Sequence, residues 1–197
     1  TQSGRLQVFL LAADDSGPIG ASFTLKDENG KVVETRTLEM EPRVERIIEI
    51  PSSTSGVAPA RGVVEIASQD GELHVAALRI GAGGGYAVVE PLALASGDSS
   101  PLAQVIPRFT HGDGWTTAVT LVNTGAEPLP AALIFRQPDG SAVPLPLDSG
   151  ESAADYSDVI PPGASRLIQT SSEGRDRVDG WVEVVAARSI AALAVLR

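Results

Sequence analysis

Hydrophobic positions along the chain recur in short runs, most of them four to eight residues long, rich in β-branched residues and partly alternating with polar ones, as where Val64 and Ile66 flank Glu65. In the first half the runs are LQVFLLA, GASFTLK, KVVETRTL, RVERIIEI, GVVEIAS and LHVAALR. In the second they are QVIPRFT, TTAVTLVN, AALIFRQ, SAVPLPL, ADYSDVI, SRLIQT, GWVEVVA and IAALAVL. No segment carries a long stripe of period 3.6 between helix caps. The pattern predicts an all-β chain.

The runs repeat. Residues 63–79, VVEIASQDGELHVAALR, lie over residues 181–197, WVEVVAARSIAALAVLR, without a gap, so that Glu65 meets Glu183 and Leu78 meets Leu196. Residues 8–30 lie over residues 118–140, with Pro18 on Pro128, Phe23 on Leu133 and Gly30 on Gly140. The first overlay has an offset of 118 and the second of 110. The difference is expected in the middle of each unit, where 40–62 faces 150–180. Asn29-Gly30 and Asp139-Gly140 sit at the same point of both units and predict hairpins of type I′, whose central residues need positive φ. Roughly seven strands in about 90 residues, with turns every 8–12, is the count of a β-sandwich. The expected domains are a first repeat at 1–80, a connecting segment at 81–101 with an extra strand, and a second repeat at 102–197.

The connecting segment opens with RIGAGGGYAVVE after an apolar strand, which invites a nucleotide-loop reading because glycines let backbone amides approach a phosphate. A dinucleotide loop needs a helix after its glycines. Here YAVVEPLALA follows, with β-branched residues and Pro91, and the last glycine of the GxGxxG pattern is replaced by Tyr86. The glycines therefore read as a turn into a further strand, followed by SGDSSP as a linker.

Composition narrows the function classes. The formal net charge is −10, with 15 basic against 25 acidic residues and no basic run, so nucleic acid is not an expected partner. Aromatic residues make up 4% of a chain that is 43% hydrophobic, so the core must be aliphatic. The absence of cysteine excludes disulfides, thiolate metal sites and cysteine nucleophiles. No apolar run is long enough to span a bilayer, and no Asn-x-Ser/Thr sequon is present. The start at TQSGR reads as a processed chain or an excised fragment.

His111-Gly112-Asp113-Gly114-Trp115 is the one cluster of His, carboxylate and aromatic residues. Trp115 could stack on a sugar ring and Asp113 could join a calcium site, against the plainer reading of a polar turn between strands with Trp115 at the edge of the core. His111, Asp113 and Trp115 are therefore the candidate ligand loop. Asp14-Asp15 and Asp27-Glu28-Asn29-Gly30 miss the calcium-loop spacing and read as turn carboxylates. His74 has no second His beside it for zinc, and Asp155 and Asp158, three apart in a strand, fall on opposite faces. No nucleophile elbow or HExxH motif is present, so no catalytic, cofactor-binding or metal residues are assigned.

The phrases VTLVNTG before a Pro-containing turn, the PDG hairpin and IPPGASR ahead of the next strand resemble the immunoglobulin-like or fibronectin type III-like sandwich repeats of large secreted bacterial proteins. The second unit carries the resemblance along nearly its whole length. The first carries it over residues 6–79 but has EPRVERIIEI where IPPG would stand. The resemblance implies two tandem immunoglobulin-like β-sandwich domains, extracellular or at a bacterial cell surface, acting as a non-catalytic structural or assembly module without cofactor. Partners are then other copies of the chain or neighbouring repeats of a longer one. The alternative is a module that binds carbohydrate or protein through the Trp115 loop.

By the repeat, unit one lacks a counterpart of QVIPRF and unit two lacks a counterpart of YAVVEPLALA. A fragment of a tandem array accounts for this, and the sharper alternative is a fibre whose subunits complete one another by strand donation.

Overall fold

The computed structural model describes residues 4–13, 17–51, 61–69, 71–81, 85–89, 91, 101–174, 176–187 and 189–196. Among these there is no helix, and every strand pair is antiparallel. The chain divides into two compact units, Thr1–Ala93 and Leu94–Arg197.

Unit 1 contains β1 (Arg5–Ala12), β2 (Ile19–Asp27), β3 (Val32–Met40), β4 (Glu45–Pro51), β5 (Gly62–Ser68), β6 (Leu73–Ile80) and β7 (Tyr86–Val89). They form two sheets, in the orders β4-β1-β6-β7 and β3-β2-β5. Strict alternation along β2 turns Ile19, Ala21, Phe23 and Leu25 to one side. These side chains meet Val8, Leu10 and Ala12 of β1 together with Met40 and Ile48, so one apolar cluster joins the inner faces of both sheets.

Unit 2 contains β8 (Pro101–His111), β9 (Thr117–Asn123), β10 (Leu129–Arg136), β11 (Leu145–Pro146), β12 (Ser152–Ala153), β13 (Asp155–Ile160), β14 (Ser165–Gln169), β15 (Val178–Ala187) and β16 (Ile190–Leu196). Its main sheets run β13-β10-β15-β8 and β14-β9-β16, with β11 and β12 as a small separate ribbon. Leu121, Leu133, Ile160, Val182, Val184 and Ile190 are sealed from solvent around Phe109 and Phe135, whose rings meet edge to face at 5.5 Å.

Six strands correspond one to one, from β1 with β9 through β6 with β16. Met40 pairs with Ile19 as Ile160 pairs with Leu129, and Val64 pairs with Leu25 as Val182 pairs with Phe135. Val8 takes Ile48 and Ala77 as neighbours, and Val119 takes Ile168 and Ala194.

These registers correct the sequence overlay in three places. The extra residues of unit 2 lie earlier than expected, between Gly140 and β13, where the excursion through β11 and β12 adds buried Val143, Leu145 and Leu147 to the core. Val8, Leu10 and Ala12 point inward as Val119, Leu121 and Asn123 do, so β1 and β9 are one residue out of step with the ungapped overlay. A slip of one residue also places Ala77, not Ala76, at the position of the inward Ala194. The overlay matched apolar runs, but a strand of apolar residues on both faces does not reveal which set is inside; burial does.

The turns differ from expectation as well. Gly30 and Gly140 have φ of 83° and 87°, but Asn29 and Asp139 are not in the left-handed region, so neither hairpin is of type I′. Each is a three-residue loop, in which a bond from the glycine N–H, to Asp27 O at 3.0 Å and to Gln137 O at 2.9 Å, closes the turn and the glycine alone is in the left-handed region. Asp27 and Asp139 carboxylates take up neighbouring backbone N–H groups instead.

EPRV and PPGA prove to be the same turn. Arg43 N donates to Ala12 O and Val44 N to Glu41 O, as Gly163 N donates to Asn123 O and Ala164 N to Pro161 O. Asn123 explains the VTLVNTG phrase. Fully buried, its amide donates to the Glu127 and Ile160 carbonyls at 2.7 and 2.8 Å and accepts from Gly125 N at 2.8 Å, tying two turns to the end of β9.

Candidate functional site

Between β8 and β9 the chain reverses through Asp113 (φ 52°) and Gly114 (φ 81°), while Gly112 and Trp115 exchange both backbone hydrogen bonds, at 3.1 and 3.0 Å. Two central residues with positive φ make this a type I′ turn, at an Asp-Gly pair other than the turns expected. Gly112 is needed here, because a Cβ on it would sit 2.1 Å from Asp176 O. Behind the turn Thr117 Oγ1 donates to Thr110 O and accepts from Thr110 N, which holds the two strands together before they part into different sheets.

The three candidate ligand residues face different surroundings. Trp115 is 43% exposed and Asp113 lies exposed at the tip, whereas His111 is buried, with its Nδ1 lacking a hydrogen-bond partner. Only Asp113 and Trp115 can therefore meet a ligand from solvent. Among the described residues no group of three or more His, Asp or Glu side chains is arranged to hold a metal ion.

Beside this turn lies a cluster that the sequence reading missed. Asp179 accepts from Thr110 Oγ1 at 2.7 Å and from Arg177 Nε at 2.8 Å, and Arg108 Nη2 lies 3.5 Å away. Hydrogen bonds from Arg177 and then Thr110 hold the Asp179 carboxyl down at about 2, and Asp179 in turn raises Arg177. The spacing of Arg177 and Asp179, two apart where the chain enters β15, was the available signal.

The remaining candidates are dispersed. His74 is exposed on β6, 3.9 Å from Glu72. Asp158 pairs with Arg166 at 2.6 Å, while Asp155 is exposed. Asp14 and Asp15 lie outside the described residues, as do Gly83 and most of the connecting segment. The glycine-rich stretch leads into strand β7, with Gly81 N bonded to Gly85 O at 2.7 Å, so no helix N-terminus follows it.

A second candidate is built from backbone. In unit 1 the outer edge of β6 is covered by β7, whereas among the described residues no strand covers the corresponding edge of β16, where Gln104 Nε2 of β8 donates to Ile190 O at 2.8 Å. In unit 2 the outer edge of β15 is covered by β8, whereas nothing described covers the corresponding edge of β5. Each unit thus carries one open edge that the other unit closes. An open edge presents a row of unpaired N–H and C=O groups, which is a template for a further strand.

No helix of the described residues is long and apolar enough to cross a membrane. No family model and no curated protein matches the chain. Among solved structures it is similar to the crystal structure of PBSX exported protein XepA, at 12% identity over 97% of this chain and 76% of that one, with a TM-score of 0.27. A likeness of that size carries no argument about fold or function.

Proposed function

We propose that the chain is a non-catalytic structural module of an extracellular or cell-surface bacterial protein, which assembles through strands added to its open sheet edges. The observation that carries this reading is the reciprocal pair of edges, β5 and β16, each closed by an intramolecular strand in the other unit. Backbone pairing then supplies affinity, and the side chains facing each way along the strand supply selectivity. Nothing in this mode calls for a cofactor or a reacting side chain.

Each unit is read as a variant of the immunoglobulin-like sandwich. In that fold strands A, B, E and D form one sheet and C, F and G the other. With the seven main strands of unit 2 labelled A to G in chain order, its sheets run D-C-F-A and E-B-G. The central B–E and C–F pairs agree with the immunoglobulin order, while A and D join the C–F sheet and G joins the B–E sheet. This arrangement suits a module built for tandem joining, because the strands at its two ends are the ones that close edges.

Light scattering of the 197-residue chain over a range of concentrations, with electron microscopy, tests the proposal. A mass that rises with concentration and elongated particles are expected. A monomer of constant mass, with no partner strand taken up, would sink it. The 43% exposure of Trp115 favours a second reading, glycan binding at the turn. Quenching of tryptophan fluorescence by a glycan, lost in Trp115→Ala and kept in Trp181→Ala, would establish that reading.

A further inference from the structure

The edge strand β16 is less protected than the interior strand it matches. Edge strands are normally guarded by charge, proline or bulges. β6, which is covered, carries the exposed His74 and Arg79. In β16, IAALAVL, the equivalent positions are Ala191 and Leu196, the strand has neither charge nor proline, and Leu193, Val195 and Leu196 are 38–43% exposed. Beyond Ile190, whose carbonyl accepts from Gln104 Nε2, an uncharged apolar edge of this kind is a pairing site or an aggregation hazard.

The repeat specifies what fits it. On β6, β7 pairs antiparallel with Ala77 opposite Val89, Leu78 opposite Val88 and Arg79 opposite Ala87. The matching of Ala77 with Ala194 carries this register onto β16 at Ala194, Val195 and Leu196. Val88 is 70% exposed on β7, so a residue in its place would lie beside the exposed Val195.

Resting on the assembly reading above, we infer that the β16 edge takes an extended, uncharged segment of the Tyr-Ala-Val-Val kind from a separate polypeptide, antiparallel and in the β6–β7 register. Recognition comes from backbone hydrogen bonds to residues 194–196 and from a small or β-branched residue against Val195. Because no charge faces the segment from β16, the interaction depends little on salt.

The test uses the intact chain and a synthetic peptide, GYAVVEP, with the same peptide bearing proline at the second valine as a control. Saturable binding at or below about 1 mM peptide is expected, with amide exchange at residues 194–196 slowed about tenfold or more. The proline peptide, which loses a backbone donor, should not bind. Val195→Lys, checked for an unchanged unfolding midpoint, should weaken binding about tenfold.

Three outcomes overturn the inference: no saturation, equal binding of the proline peptide, or protection on β5 in place of β16. Concentration-dependent mass of the chain without peptide is scored separately. If it persists while the peptide fails, assembly stands and this occupant does not; if mass is constant and the peptide binds, the reverse holds.

Discussion

Arg136 donates to Glu183 across the β10–β15 pair at 2.6 Å, and Lys26 meets Glu65 at 2.5 Å at the same place in the β2–β5 pair. In each unit the cation sits diagonally from the acid, one strand over and two residues along, which is within reach of long side chains. The repeat thus extends from strand order to individual cross-strand contacts.

The two pairs are not equivalent in strength. Arg136 also donates to Gly140 O at 3.0 Å and lies 5.6 Å over the ring of Trp181. Arg136→Lys keeps the charge but loses the fork and the stacked plane, and should cost unit 2 about 1 kcal/mol. Lys26→Arg in unit 1 should be near neutral. Denaturant unfolding of both variants checks the asymmetry, and equal losses would contradict it.

Gly62 and Gly180 hold the close approach of β5 to β2 and of β15 to β10. A Cβ on either would stand 2.1 Å from a backbone carbonyl, of Lys26 and Arg136 respectively, and on Gly180 it would also meet Phe109 Cε1 at 2.6 Å. Neither carbonyl can move without breaking its ladder. Gly180→Ala should destabilise unit 2 by about 2–3 kcal/mol, and Gly62→Ala should destabilise unit 1 by less, since no ring stands in the way. Unfolding midpoints of the two variants decide the order.

The shared turn offers a reciprocal experiment. Arg43 (φ 60°) and Gly163 (φ 67°) occupy the same left-handed position, and only glycine adopts it without strain. Gly163→Arg should cost unit 2 about 1–2 kcal/mol. Arg43→Gly should cost unit 1 nothing measurable, because relief of strain offsets the added freedom of the unfolded chain. A loss on Arg43→Gly would mean that the arginine side chain, and not the turn, matters there.

Strand positions were legible because apolar runs such as GASFTLK and LHVAALR are bounded by turn residues, and the repeat was legible because both units keep Glu65 and Glu183, Gly30 and Gly140. Facing was not. VFLLA and IAALAVL are apolar at successive positions, so the alternation that marks an inner face is missing. SAVPLPL reads as a full strand but is broken into the short strand Leu145–Pro146 and isolated bridges at Ala142 and Leu147, since its prolines withhold donors. The ligand loop could be located but not its exposure, which depends on Asp176 and Gly174 packing from 60 residues away. Asp179 escaped notice because its partners Arg108 and Thr110 lie on another strand. The open edges, by contrast, followed from counting strands in each unit.

Acid should act on unit 2 through its paired carboxylates. Asp179, held at about 2 by Arg177 and Thr110, releases its proton more readily when folded than when unfolded. Asp158 is also lowered: burial opposes its ionisation, but hydrogen bonds from Arg166 and the Val159 backbone outweigh it. Asp139 is lowered by its bonds from Ser141. For a group lowered on folding, the stabilisation is complete above the ordinary carboxylate value of about 4 and is lost as pH falls through the folded value. The stability of unit 2 should therefore decline between about pH 4 and pH 2. Both tryptophans, Trp115 and Trp181, belong to this unit, so their fluorescence follows its unfolding alone. Asp179→Asn should be less stable than the parent at neutral pH and show a shallower decline, the two curves converging near pH 2. Curves that stay parallel throughout would show that the Asp179 cluster lends unit 2 no stability and that its charges serve only at the surface.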